Sequence, residues 1–493
     1  MSKGNSKGLT QPGRVAPKAF RDLWGVDAPA GTPDIPAPEV FTRESYRRNY
    51  HDPADDWGLD GGILRCQPDG SQLEVVCRGF RNPWDIAFDS GFDGIGTDND
   101  QTEGDRVFSV LPGGHFGWNH PWSSHWSDRL HLPTAPVSGP LFEGSGTGVT
   151  YYDADQFPEP YRRVFFVNDW LSKTTYLWRP HWDGGLMRPA EGGWQPFVVG
   201  GQALFRPTDL EVGPDGALWI LGWSRGYGVE WDDQGQMTNE GRIYRVAATS
   251  VPSHSLGEPQ ANESDRSIER STLENCVAEF RSPLMVRRRD AQLALLQIGS
   301  SAIDPVIGRL KAGMLDECQE TWLVWTLGQF DLLDRKIDQA MLDWATAHPL
   351  RPELLNLQVQ SIRILADRWL RRSDLLGASQ PPLPDALAQL FISDHPRVRL
   401  EATQAVRVCR QSQAVEKLKQ AMAEEMDPTV AYLQWQTLRS LVPESTLRSM
   451  LSDPSPALQR GALLALLETQ SLSPSEVQQA SVQLTGPASE IAQ

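Results

Sequence analysis

Of the 42 glycines in this 493-residue chain, 34 fall before residue 250, and 13 of the 18 tryptophans fall with them. Glycine suits tight turns and costs a helix interior about 1 kcal/mol relative to alanine. The imbalance therefore separates a turn-rich, strand-forming front from a helical back. The seam runs from Val246 to about Ser271, a polar stretch containing Pro-Ser-His-Ser-Leu-Gly-Glu-Pro that reads as a linker. The expected division is 1–247, a linker over 248–270, and 271–493.

In the front part, Gly62 to Cys77 reads as a hairpin, two alternating runs around a Pro68-Asp69-Gly70 turn. The phrase Pro83-Trp-Asp-Ile-Ala-Phe-Asp89 recurs in form at Pro207-Thr-Asp-Leu-Glu-Val, and Gly62-Ile-Leu-Arg recurs as Gly241-Arg-Ile-Tyr-Arg-Val246. Between them, Gly148-Val-Thr-Tyr-Tyr-Asp and Arg163-Val-Phe-Phe-Val-Asn-Asp169 supply another set. Repeated units of short strands are the mark of β-propeller blades. About three units are expected, near 80–130, 145–200 and 205–247, with the outer part of one before them. A closed ring typically needs four to eight, so the expected propeller is partial, three to four blades of a larger ring.

From about 271 the period becomes helical. Ile303, Val306, Ile307 and Leu310 follow the i, i+3, i+4, i+7 pattern, and Val415, Leu418 and Met422 repeat part of it. Helix starts are expected at Ser282-Pro283, His348-Pro349, His395-Pro396, Asp427-Pro428 and Asp453-Pro454, each a polar cap before a first-turn proline. Pro283-Leu-Met-Val-Arg-Arg-Arg-Asp and His395-Pro-Arg-Val-Arg-Leu-Glu-Ala resemble HEAT repeats. Helix pairs of this kind stack into an all-α solenoid, about five pairs at about 40 residues each. The five back-half tryptophans read as core and Arg287-Arg288-Arg289 as a solvated face.

The formal charge of −17 argues against nucleic-acid binding, which needs clustered cations. No run of 18 apolar residues exists to form a transmembrane helix, and the first residues lack the apolar core of a signal peptide. The five cysteines are too scattered for a disulfide framework; Cys66 and Cys77 flank a hairpin but fall out of register, so thiols are expected. No Cys-x-x-Cys-His is present to attach haem.

The densest polar constellation is Gly79-Phe-Arg-Asn-Pro-Trp-Asp85 followed by Gly96 to Arg106 and Gly113-Gly-His-Phe-Gly-Trp118. Asp98, Asn99, Asp100, Glu103 and Asp105 offer oxygens to a hard cation such as Ca²⁺, or form an acidic turn that accepts backbone N–H bonds. Arg81 can fork onto a carboxylate and Asn82 can orient a carbonyl. Alternatively, Arg81 pairs with Asp85 or Asp105 and ties two blades together. His115 can be a general base or simply pack in its turn. His120, His125 and His131 have no metal-ligand spacing, and there is no nucleophile elbow, phosphate loop or zinc signature.

These phrases, with Pro-x-Asp-Leu-x-Val-Gly-Pro-Asp-Gly-Ala-Leu, resemble the soluble glucose/sorbosone dehydrogenase family. The match is closest to large bacterial "membrane-bound dehydrogenase" proteins that join such a propeller to HEAT repeats and often to a c-type haem domain. The resemblance implies a six-bladed propeller that uses pyrroloquinoline quinone (PQQ) and Ca²⁺ to oxidise a sugar hydroxyl. It assigns Arg81, Asn82, Asn99 and Arg206 to the quinone and Asp98, Asp100 and Gln101 to the Ca²⁺ loop. Asp100 and Gln101 would contribute backbone carbonyls. The second arginine of the family's Arg-x-Arg phrase is Thr208 here, which removes one bidentate partner. The family's catalytic His-x-Gly-Gly is not present, and neither is a haem domain. A fragment of a longer secreted or periplasmic dehydrogenase, inactive alone, is the expectation that unites these departures. The alternative is a non-catalytic propeller whose HEAT solenoid holds a protein partner.

Overall fold

A computed structural model describes residues 2–3, 61–66, 74–99, 105–117, 134–141, 144–200, 205–223, 241–249, 272–282, 284–347, 354–376, 382–469 and 471–483. Strands occupy the front and helices the back. Four antiparallel sheets, none closed on itself, form in chain order. The first contains β1 (Ser2–Lys3), β2 (Gly61–Arg65) and β3 (Glu74–Phe80). The second contains β4 (Pro83–Phe88), β5 (Gly94–Asp98), β6 (Arg106–Ser109) and β7 (Gly139–Pro140). The third contains β8 (Gly146–Tyr152), β9 (Val164–Asp169), β10 (Thr174–Asp183) and β11 (Leu186–Val199). The fourth contains β12 (Pro207–Val212), β13 (Leu218–Gly222) and β14 (Arg242–Val246). The three expected units and the partial one before them correspond to these sheets.

The hairpin expected over 62–77 is β2 with β3, and Ile63 stands opposite Cys77. Cys66 is thus out of register, and both cysteines are free thiols, Cys66 exposed and Cys77 buried. Sheets two, three and four stack in series. All six residues of β9 are buried. Its alternation sends Phe165 and Val167 towards Ile95 and Val107 of the second sheet, and Val164 and Phe166 towards Leu210, Leu218 and Ile220 of the fourth. A strand covered on both faces needs the continuous apolar run Val-Phe-Phe-Val, and each buried Phe contributes about 2–3 kcal/mol. The outer face of the last sheet ends the series with Trp219, Leu221 and Ile243 exposed.

The helices are α1 (Leu273–Glu279), α2 (Met285–Ile298), α3 (Ile303–Ala312), α4 (Glu317–Gln329), α5 (Arg335–Ala345), α6 (Leu355–Leu376), α7 (Ala386–Gln389), α8 (Pro396–Val408), α9 (Val415–Glu424), α10 (Pro428–Leu441), α11 (Glu444–Met450), α12 (Pro456–Glu468) and α13 (Pro474–Gln483). The even-numbered helices from α2 to α12 pack side by side in one row, and odd-numbered helices from α1 to α11 cover them as a second. His395 and Asp427 cap α8 and α10 as expected. The other expected starts shift: α2 begins at Met285 and α12 at Pro456 behind Ser455, while 348–353 lie outside the described residues. No helix among the described residues is long and apolar enough to cross a membrane.

The inner row packs against the sheets. Ile63, Cys77, Phe80, Phe108 and Phe116 share one hydrophobic core with the helices. Phe92, in the β4–β5 turn at φ +58°, sits with its ring 5.3 Å from that of Trp322 and 6.0 Å from that of Trp325. Asp93 pairs with Arg363 and Arg397, and Arg397 lies 3.8 Å from the centre of the Trp182 ring. Arg288 is buried and pairs with Asp153 at 3.3 Å, so the expected solvated face is corrected: the middle arginine of the run points into the sheets, where a carboxylate offsets its desolvation. The back-half tryptophans are buried or half-buried, as core residues should be.

Candidate functional site

The candidate site is built where β3 hands over to β4. Gly79 adopts φ +83°, and a Cβ there would lie 2.5 Å from both His115 Nδ1 and Phe116 N, so only glycine lets the Gly-Gly-His-Phe-Gly loop close on this strand. The chain then presents Phe80 inwards, stacked 4.7 Å from Phe116, and Arg81 and Asn82 at a half-buried edge. Arg81 Nη1 donates to Asn99 O at 3.1 Å and to Asn99 Oδ1 at 3.0 Å. Asn82 Nδ2 donates to the same Oδ1 at 2.9 Å, and Asn99 N returns a bond to Asn82 O at 3.3 Å. Arg81 therefore uses Asn99, where the sequence suggested Asp85 or Asp105.

Those two aspartates tie sheets together. Asp85 Oδ2 accepts from Val149 N at 2.9 Å, and Asp105 Oδ2 from Gly146 N at 2.7 Å. Thr97 Oγ1 donates to Thr147 O at 2.5 Å, and Thr147 Oγ1 donates to Pro207 O at 2.8 Å. The starts of β8 and β12 are thus pinned in sequence to the sheet that carries Arg81. Burial raises the Asp85 carboxyl above its ordinary range, with its two backbone N–H partners opposing the shift.

Asp98 is fully buried. Its Oδ1 accepts from Asn82 N at 2.8 Å and its Oδ2 from Arg106 Nε and Nη2 at 3.2 and 3.1 Å. Burial pushes this carboxyl up to about 6, and the Arg106 guanidinium opposes the shift. With both oxygens engaged, the Asp98 side chain does not fit the role of a Ca²⁺ ligand. Asp100 and Gln101 lie outside the described residues, and among the described residues no three His, Cys, Asp or Glu side chains converge in a metal-binding arrangement. His115 is buried, its Nδ1 accepting from Gly117 N at 3.0 Å and its backbone N–H donating to Tyr432 Oη at 2.9 Å, as the packed-turn reading expects. His120, His125 and His131 fall outside the described residues.

Arg206 stands two sheets along, just before β12. Its guanidinium lies 4.1 Å from the centre of the Trp170 ring, and Nη1 donates to Trp170 O at 3.3 Å. Thr208 donates to Leu221 O at 3.3 Å, a bond within its own sheet. The structure thus joins Arg81, Asn82, Asp98 and Asn99 in one cluster and holds Arg206 apart, two sheets along. Arg81 and Arg206 are both half-buried guanidinium groups, each with the planar fork that suits a carboxylate. The residue that sequence reasoning missed is Arg106. Its signal is the Gly104-Asp-Arg106 phrase that closes the acidic segment.

Residues 40–250, under half of the chain, match a family described as a domain of unknown function, DUF7133. No curated protein matches at a significant level. Among solved structures, a glucose dehydrogenase is similar at 19% identity and a TM-score of 0.30, with 39% of this chain and 56% of that one covered. An oxidoreductase from Thermus thermophilus, titled a glucose dehydrogenase, is similar at 21% identity and a TM-score of 0.30, with 42% and 61% covered. The PQQ-bound form of an aldose sugar dehydrogenase from Streptomyces coelicolor is similar at 19% identity and a TM-score of 0.28, with 40% and 54% covered. The chain spans little more than half the length of each of these similar proteins.

Proposed function

We propose that residues 1–247 are part of a β-propeller of the quinone-dependent sugar dehydrogenase kind, joined through 248–270 to a HEAT-like array over 271–493. The observation that carries the reading is the Arg81–Asn82–Asn99 cluster, formed by the two phrases that resemble the family's quinone site. When bound, PQQ supplies the two-electron acceptor for oxidation of a sugar hydroxyl. Arg81 binds a cofactor carboxylate, and Asn99 fixes the orientation of its guanidinium. Asn82 sets the edge of the site, and Arg206, held against Trp170, supplies a second cation. The carbonyls of Asp100 and Gln101 are the proposed Ca²⁺ ligands, while Asp98 acts as a buried strut. With no family-type proton acceptor in the chain, it is expected to bind cofactor without oxidising sugar by itself.

The test is calorimetric titration with PQQ, with and without Ca²⁺. Saturable, Ca²⁺-dependent binding that weakens in Arg81→Ala supports the reading. A folded protein that takes up no PQQ overturns it and favours the scaffold reading. In that reading the inner row of helices is already packed on the sheets, so a protein partner would meet the outer row.

A further inference from the structure

Three phrases make up the candidate site: Gly79-Phe-Arg-Asn, Gly96-Thr-Asp-Asn and Gly113-Gly-His-Phe-Gly. One buried side chain touches all three. Arg106 Nη2 donates to Gly79 O at 3.1 Å, Nη1 donates to Phe116 O at 2.6 Å, and Nε and Nη2 together grip Asp98 Oδ2. Its guanidinium carbon lies 5.8 Å from the centre of the Phe116 ring. Arg106 and Asp98 are 7% and 0% exposed, so neither is itself a surface for a ligand.

The connection continues outwards. Asp98 Oδ1 holds Asn82 N, and the next residue, Asn99, holds both the Arg81 guanidinium and the Asn82 amide. We propose that Arg106 is a positioning residue, which fixes Arg81, Asn82 and Asn99 relative to one another so that Arg81 is presented to a bound carboxylate in a single orientation. The inference rests on the quinone-site reading above for its ligand, but the geometry it predicts for Arg81 exists without one. A guanidinium is needed because its planar fork reaches three acceptors in fixed directions; an ammonium keeps the charge and loses that geometry.

The test uses the full chain, ¹⁵N-labelled, in wild-type form and as Arg106→Lys, with Asp98→Asn as an isosteric second variant. The guanidinium N–H signals of Arg81, assigned with Arg81→Lys, are expected to be resolved in the wild type and broadened away in both variants. The Kd for PQQ is expected to weaken about tenfold or more while the binding stoichiometry of the folded protein stays unchanged. Arg368→Lys is the control, since Arg368 is also buried but spans helices α4 to α6 through Gly328 O, Phe330 O and Asp338. It should lower the melting temperature and leave both readouts where they were. If the variants melt earlier but keep the Arg81 signals and the Kd, Arg106 is only structural and the inference fails. If the wild type binds no PQQ, the proposed function fails and the Arg81 signals alone decide: their loss in the variants sustains the positioning role, their persistence overturns it.

Discussion

Asp93 accepts a hydrogen bond from Arg397 across the sheet–helix boundary, 2.5 Å from Oδ2 to Nη2, with both residues buried. Arg363 takes the other carboxylate oxygen at 2.7 Å and also pairs with Glu401. Removing one partner of a buried ion pair leaves an uncompensated charge, which costs about 3–5 kcal/mol. Asp93→Asn is therefore expected to lower the urea midpoint sharply. Arg163→Ala, which breaks an exposed pair with Glu159, should cost under about 0.5 kcal/mol. Equal effects in the two variants would contradict the role given to Asp93.

Asp427 has two duties. Its Oδ1 caps α10 by accepting from Thr429 N and Val430 N, both at 2.9 Å, and its Oδ2 accepts from Gly185 N in the β10–β11 turn, also at 2.9 Å. A simple cap is worth about 1 kcal/mol. Asp427→Ala should exceed Thr272→Ala, a cap of α1 with no link to the sheets, by about 1 kcal/mol or more in equilibrium unfolding.

Glu320 of α4 is buried, and burial raises its carboxyl to about 7, with the Asn356 amide opposing the shift. A carboxyl raised in the folded state contributes stability that is fully present below its unfolded value, near 4.5, and lost as pH rises through 7. Wild-type melting temperature should therefore fall between pH 5 and 8 by more than that of Glu320→Gln. The differential is expected to be on the order of 2–3 kcal/mol. Parallel profiles for the two proteins would show that Glu320 stays ionised in the fold.

Phe92 combines an aromatic anchor with a left-handed backbone at φ +58°. Phe92→Ala should cost about 3 kcal/mol through lost contact with Trp322 and Trp325, and should shift tryptophan emission. Phe92→Gly loses the same ring but relaxes the backbone. It should be more stable than Phe92→Ala by up to about 1 kcal/mol, reversing the usual order.

The parts legible in the sequence are those where local chemistry decides. The glycine shift marked where strands give way to helices, and the repeated Pro-x-Asp phrases located β4 and β12 because each begins the first strand of its sheet in the same way. Helix starts were readable at Pro396 and Pro428, where proline occupies the first turn behind a polar cap. The capping box of Asp316 with Gln319 is an equally plain signal of a helix start. What local pattern cannot reveal is which buried carboxylate an arginine will meet. Arg106, Arg288, Arg363 and Arg397 look like any surface cation in the sequence; Arg106 meets Asp98 across the β5–β6 strand pair, and only long-range packing brings Asp153 and Asp93 to the other three. The Arg81–Asn99 bond is hidden in the sequence because two nearby aspartates, Asp85 and Asp105, offer Arg81 a more obvious partner.

Phe80, Phe108 and Phe116 lie in the same continuous core as helix residues as distant as Leu466. The change from strand to helix near residue 250 is thus a change of building material and not a line of fracture. A protease site engineered between Thr249 and Thr272 should, once cut, yield two polypeptides that remain a single particle in gel filtration and melt together. Expressed separately, each piece would expose half of a shared interior and should recover its fold only when mixed with the other, making the protein a natural candidate for split-fragment complementation.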